Sequence, residues 1–139
     1  MKMLILAAVL TTVSFTALAS EEIADLYLNG DSSAVVGQSR TSYGWANMFY
    51  ITEERIELIQ IGSGVACDDK PNRINNKLVS IECIQESSIN IIRRVKSQAG
   101  RDYIITELKT KGSLDWEGWK ATAPDFTDSF KAIGNNEIL

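Results

Sequence analysis

The sequence predicts a mainly β fold with short terminal helices: an antiparallel β-meander that curls into a small barrel or half-barrel and carries one disulfide. Three observations lead there. Segments starting at 77, 89 and 102 alternate in polarity and are separated by turn residues. The stretch 45–61 is rich in aromatic and β-branched residues, which suit a pleated surface. Two cysteines, Cys67 and Cys83, supply one disulfide in an exported chain.

The first 19 residues read as a secretory signal peptide. Lys2 gives a positive start, an apolar run follows, and Ala17-Leu18-Ala19 forms a small-x-small cleavage site. A spanning helix needs about 20 apolar residues, and this run is shorter with a marked end. No cysteine follows the cleavage site, which argues against a lipoprotein. The expected product is periplasmic or extracellular, with no stable membrane anchor once the leader is removed. Residues 20–139 then make a single β-rich domain, and that length can bury roughly two-thirds of its unfolded surface.

Segment 20–30 reads as a short helix. Acids occupy its first turn, Ile23, Leu26 and Tyr27 share a face, and Asn29-Gly30 stops it. Segment 31–42 is small and polar, an edge strand or loop around Val35 and Val36. The hairpin pairs 45–51 with 56–61 through the polar turn 52–55. Ile56, Leu58, Ile59 and Ile61 obey neither helical nor strand period cleanly, so a bulge or burial on both faces is expected. Segment 62–76 is irregular, full of Gly, Pro and Asn. Asp68, Asp69, Asn72, Asn75 and Asn76 offer oxygens there, but the spacing is not that of a calcium loop, and a solvated loop pinned by Cys67 is the expected reading.

Segment 77–85 is the next strand, 89–96 its partner, 97–101 a hairpin loop around Gly100, and 102–111 a further strand. Trp116 and Trp119 bracket Gly118 near a last bend or strand. Pro124 opens a final helix to Gly134, with Phe126, Phe130 and Ile133 as its apolar stripe. Residues 135–139 are expected to fray.

Composition limits function. The chain has no histidine, so neither a Ser-His-Asp nor a Cys-His arrangement can be built, and His-rich zinc sites are excluded. The net charge is −4, which opposes non-specific nucleic-acid binding. No phosphate loop or nucleophile elbow is present, and no cofactor or metal is implied. The expected protein is therefore a small, exported, non-enzymatic binding protein, of inhibitor or immunity type, acting on another protein. A lipocalin-like carrier of a small apolar ligand is the alternative, motivated by the doubly apolar hairpin. A carboxylate-dependent hydrolase using Asp115 and Glu117 is the third reading.

Six residues are candidates for partner binding. Arg93, Arg94, Lys96 and Arg101 gather a basic patch on an acidic chain, with Lys109 and Lys111 on the strand expected beside them. Against this, edge strands carry Lys and Arg simply to stay soluble. Trp116 and Trp119 are candidates because Trp is enriched at binding hot spots. Core packing is the plainer role for an aromatic, and for Trp45 it is the expected one.

Overall fold

The computed structural model describes residues 22–40 and 46–134. The expected signal peptide, Trp45 and residues 135–139, expected to fray, lie outside the described residues. Eleven strands and two helices are described: β1 (Ala24–Asp25), β2 (Tyr27–Leu28), β3 (Val35–Arg40), β4 (Ala46–Ile51), β5 (Ile56–Ile61), β6 (Asn72–Ile74), β7 (Lys77–Val79), β8 (Ile81–Ser87), β9 (Asn90–Val95), α1 (Gln98–Lys111), β10 (Ser113–Trp116), β11 (Trp119–Thr122) and α2 (Phe126–Lys131). They form a six-stranded sheet, β2-β3-β4-β5-β9-β8, and a five-stranded one, β1-β11-β10-β6-β7. The fold is mainly β, as the pattern predicts, and the sheets do not close into a barrel.

The hairpin β4–β5 is where the sequence places it. Ile51 pairs with Ile56, Phe49 with Leu58 and Asn47 with Gln60 across it. Thr52 closes the turn, accepting at Oγ1 from the Arg55 N–H (2.9 Å). Phe49, Ile51, Ile56 and Leu58 face inward and are fully buried. The other face carries Met48, Ile59, Ile92 and Ile84 in one row across four strands, all half-buried. Apolar residues on both faces explain the broken period of 56–61.

Three expectations are corrected. Segment 20–30 is not a helix where it is described. Ala24 and Asp25 pair in parallel with Ala121 and Thr122, and Tyr27 and Leu28 pair with Val36 and Val35. An isolated helix this short is marginal, whereas two strand pairings satisfy its backbone in both sheets. Of the supposed apolar face, Ile23 and Tyr27 are 55% and 57% exposed and Leu26 alone is buried, together with Ala24.

The second correction is larger. Segment 98–111 is a 14-residue helix, not a loop followed by a strand. Ser97 caps it, its Oγ accepting from the Gly100 N–H (3.0 Å). Gly112 ends it at φ 65°, donating to the Leu108 carbonyl. Ile104, Ile105 and Leu108 fall on one helical face and are buried. A strand would have split those three between two faces.

Thirdly, 77–85 is two strands. Ser80 separates β7, in the smaller sheet, from β8, in the larger. The core lies between the sheets, filled by Phe49, Leu58, Ile81, Leu108, Trp116 and Phe126 among others. The C-terminal helix forms as expected, though shorter, with the Phe126 and Phe130 rings stacked at 5.2 Å.

Cys67 and Cys83 are joined as expected, with Cα atoms 5.6 Å apart. A disulfide is characteristic of a non-cytoplasmic environment. Among the described residues no helix is long and apolar enough to cross a membrane.

Candidate functional site

The structure separates the six candidates. Trp116 is fully buried and donates from Nε1 to Asn72 Oδ1 (2.8 Å), so it belongs to the core rather than to a binding surface. Trp119, directly opposite it across the β10–β11 hairpin, is half-buried. Two aromatics three apart come to face each other because the turn between them holds only Glu117 and Gly118.

The basic cluster disperses for two reasons. Alternation sends Arg93 and Arg94 to opposite faces of β9, and α1 replaces the strand expected to carry Lys109 and Lys111. Arg94 Nε donates to Glu57 (2.6 Å), a carboxylate that Arg55 also approaches at 3.4 Å. Arg101 turns back onto its own surroundings, bonding the Val95 carbonyl and Gln98. Lys96 is exposed beyond the end of β9. Lys109 lies over the Phe130 ring (5.3 Å), and Lys111 bonds Glu107 (2.8 Å).

What comes together is Arg93 and Trp119. The Arg93 guanidinium lies over the Trp119 ring, 5.8 Å from its centroid. Its Nε donates to Gln60 Oε1 at 2.7 Å. Gln60 in turn donates from Nε2 to Asn47 Oδ1 at 3.0 Å. Gln60 and Asn47 are 2% and 1% exposed. Ser39 stands opposite Asn47 on β3 and is equally buried. Arg93 faces Leu58 on one side and Cys83 of the disulfide on the other. The guanidinium is thus held by a ring, a buried amide relay and an apolar floor.

Sequence reasoning missed Gln60, Asn47 and Ser39. Their signal was present: on β3, β4 and β5 they occupy positions that alternation assigns to the inside, alongside Val35, Phe49 and Leu58. Among the described residues, Asn47 Nδ2 and Ser39 Oγ have no hydrogen-bond partner. Leaving buried polar atoms unpaired costs about 1–3 kcal/mol each, so the core carries this amide relay at some expense of stability.

Asp115 and Glu117 line an open pocket of about 490 Å³ beside Arg73, Asn75 and Lys111. Asp115 Oδ1 accepts from the Gly118 N–H (2.8 Å), and the Glu117 carboxylate accepts from the Arg73 N–H. Both therefore act as clips on backbone amides. A hydrolytic pair needs two carboxyls facing a scissile bond, and this pair lends that reading no support. Three of the five candidate oxygen donors of the irregular segment are engaged too: Asn72 holds Trp116, Asn75 Oδ1 takes the Asp115 N–H (2.7 Å), and Asp68 Oδ1 takes the Lys70 N–H (3.1 Å). The interior offers the carrier reading little room, since Leu58 and Ile81 are packed within it and Met48 and Tyr50 lie on the outer face.

No family model, curated protein or solved structure matches this chain.

Proposed function

We propose that this chain is a small exported binding protein without enzymatic activity, an inhibitor or immunity-type protein that acts on another protein through the surface bearing Trp119 and Arg93. One observation carries the reading: the half-buried Trp119 ring and a fixed guanidinium share one site. Aromatic rings and arginines are the side chains most enriched among residues that dominate binding energy. A preorganised pair also loses less conformational entropy on association. The apolar leader and the disulfide fit an exported location.

The test is comparative affinity capture with the folded, disulfide-bonded protein from envelope or secreted fractions of its source. The wild type should retain a defined protein with micromolar or tighter affinity when the two are purified and remixed. Trp119→Ala should weaken that complex at least tenfold, about 1.4 kcal/mol, while leaving the circular dichroism spectrum unchanged. Equal retention by both forms would remove Trp119 from the site. Failure of any remixed partner to bind would end the proposal.

A further inference from the structure

We infer that Arg93 is a receptor for a carboxylate, supplied in the cell by an acidic side chain or C-terminus of the partner protein. The inference rests on the binding reading above and names the group that the site recognises.

The Nε of Arg93 is engaged by Gln60 and its face by Trp119. Its two terminal nitrogens make no hydrogen bond or ion pair with any described residue. Arg55 and Arg94 differ, since both approach Glu57. Neither nitrogen is among the buried unpartnered atoms, so solvent reaches both and their N–H groups are open to an acceptor.

The geometry then selects the acceptor. A guanidinium held through Nε and stacked on a ring cannot rotate freely, so it offers its outer N–H pair in a fixed plane. Two parallel N–H groups match the two oxygens of a carboxylate, and such charge-assisted pairs are roughly twice as strong as neutral hydrogen bonds. The charge balance favours a monoanion. Arg93 carries a single positive charge, which neutralises a carboxylate but not a phosphate dianion. Gln60 and Asn47 act here as positioning residues. The buried relay from Asn47 through Gln60 sets the plane of Arg93, which accounts for amides kept at inward positions although Asn47 Nδ2 has no partner among the described residues.

The experiment uses acetate as the probe on the full folded protein. The Trp119 indole N–H and the Arg93 Nε–Hε are followed by ¹⁵N-resolved NMR, with the indole assigned by Trp119→Phe. Both signals should move saturably with acetate, with a dissociation constant on the order of 10 mM. Sodium chloride at equal ionic strength should not reproduce the shift. Arg93→Lys should weaken binding at least tenfold, because the ammonium lacks the planar fork. Gln60→Met should weaken it several-fold and shift the Arg93 Nε–Hε signal even without acetate. Lys96→Gln should bind as the wild type does. Absence of saturation, an equal response to chloride, an unchanged affinity in Arg93→Lys, or tighter binding of inorganic phosphate than of acetate would each overturn the inference. If acetate fails while partner capture still depends on Trp119, only the carboxylate is lost and the binding reading stands. If acetate binds but no partner does, the binding reading and the partner-supplied carboxylate are both lost, and only the anion affinity of Arg93 stands.

Discussion

Glu107 is the meeting point of a small polar network at the end of α1. Lys111 Nζ donates to its Oε1 at 2.8 Å, Asn75 Nδ2 at 3.3 Å and the Tyr103 hydroxyl at 3.4 Å. Hydrogen bonding from Lys111, chiefly, lowers the Glu107 pKa below its usual carboxylate value. Burial, chiefly, raises that of Tyr103, and Glu107 raises that of Lys111. The sign for Glu107 follows from linkage. Its folded form binds a proton less readily than its unfolded form, so the stabilisation is whole above about pH 4.5 and disappears as pH falls through the lowered folded value. Glu107→Gln should therefore flatten the loss of stability between pH 5 and 3 (approximate limits set by the carboxylate range). Urea midpoints measured across that range check this, and an acid limb as steep as the wild type's would contradict it. Glu117 is a second case where chemistry overrides preference. It sits at φ 52°, a region that favours glycine and asparagine. There its N–H donates to the Arg73 carbonyl (2.9 Å) and its carboxylate takes the Arg73 N–H. Neither role was legible in the sequence, since both depend on residues more than forty positions away. Arg93 was legible as a basic residue; that it, rather than Arg94, pairs with no described carboxylate depends on Glu57 lying on the opposite face.

Strands and helices differ in how plainly they declare themselves. The β4–β5 hairpin was readable because its pairing is local and its turn is short. Helix α1 was misread because Gly100 looks like a hairpin signal. Its role is close approach: a Cβ there would stand 2.9 Å from both Val79 Cγ1 and Val95 Cγ1. Gly37 on β3 has a related function. A Cβ on it would lie 2.6 Å from the Asp25 carbonyl oxygen and 2.7 Å from Leu26 Cδ2. Its bareness lets the N-terminal strand pass across the inside of the large sheet. Replacing glycine by alanine stabilises a chain by about 0.4–1 kcal/mol where the backbone can accept it. Here overpacking against backbone reverses the sign, and Gly37→Ala should cost about 1–3 kcal/mol. Gly30→Ala, where nothing lies within 4 Å, serves as control. Chemical denaturation of the two variants decides the matter; equal midpoints would refute the crossing as a constraint.

At the scale of the molecule, three long-range ties fix the architecture, and the first of them joins the two sheets. Segment 22–28 pairs with β11 in one sheet and β3 in the other. The Trp116–Asn72 bond joins β10 to β6 inside the core. The disulfide fastens the irregular segment to β8, where Gln85 Oε1 also accepts from the Cys67 N–H (3.1 Å). With the cysteines 16 positions apart, the closed loop should contribute roughly 3 kcal/mol by limiting the unfolded chain. The double variant Cys67→Ala, Cys83→Ala should lose about that much, read from urea unfolding in non-reducing buffer. An unchanged midpoint would show that the native contacts around β8 suffice alone. Because Cys83 faces Arg93 across β8 and β9, the same variant should also loosen the carboxylate site.

The linear pattern of residues determined the β class, the central hairpin, the pairing of Cys67 with Cys83, and the exclusion of histidine chemistry. These follow from local backbone preference and from composition, which need no knowledge of what packs where. Only the tertiary structure decided that 98–111 is helical, that 22–28 is extended, that Trp116 is core while Trp119 meets Arg93, and that Gln60 and Asn47 stand behind that arginine. The reason is physical. Alternation reports which side chains share a face. Which layer covers that face, and which distant partner satisfies its polar atoms, depends on contacts between segments far apart in the chain.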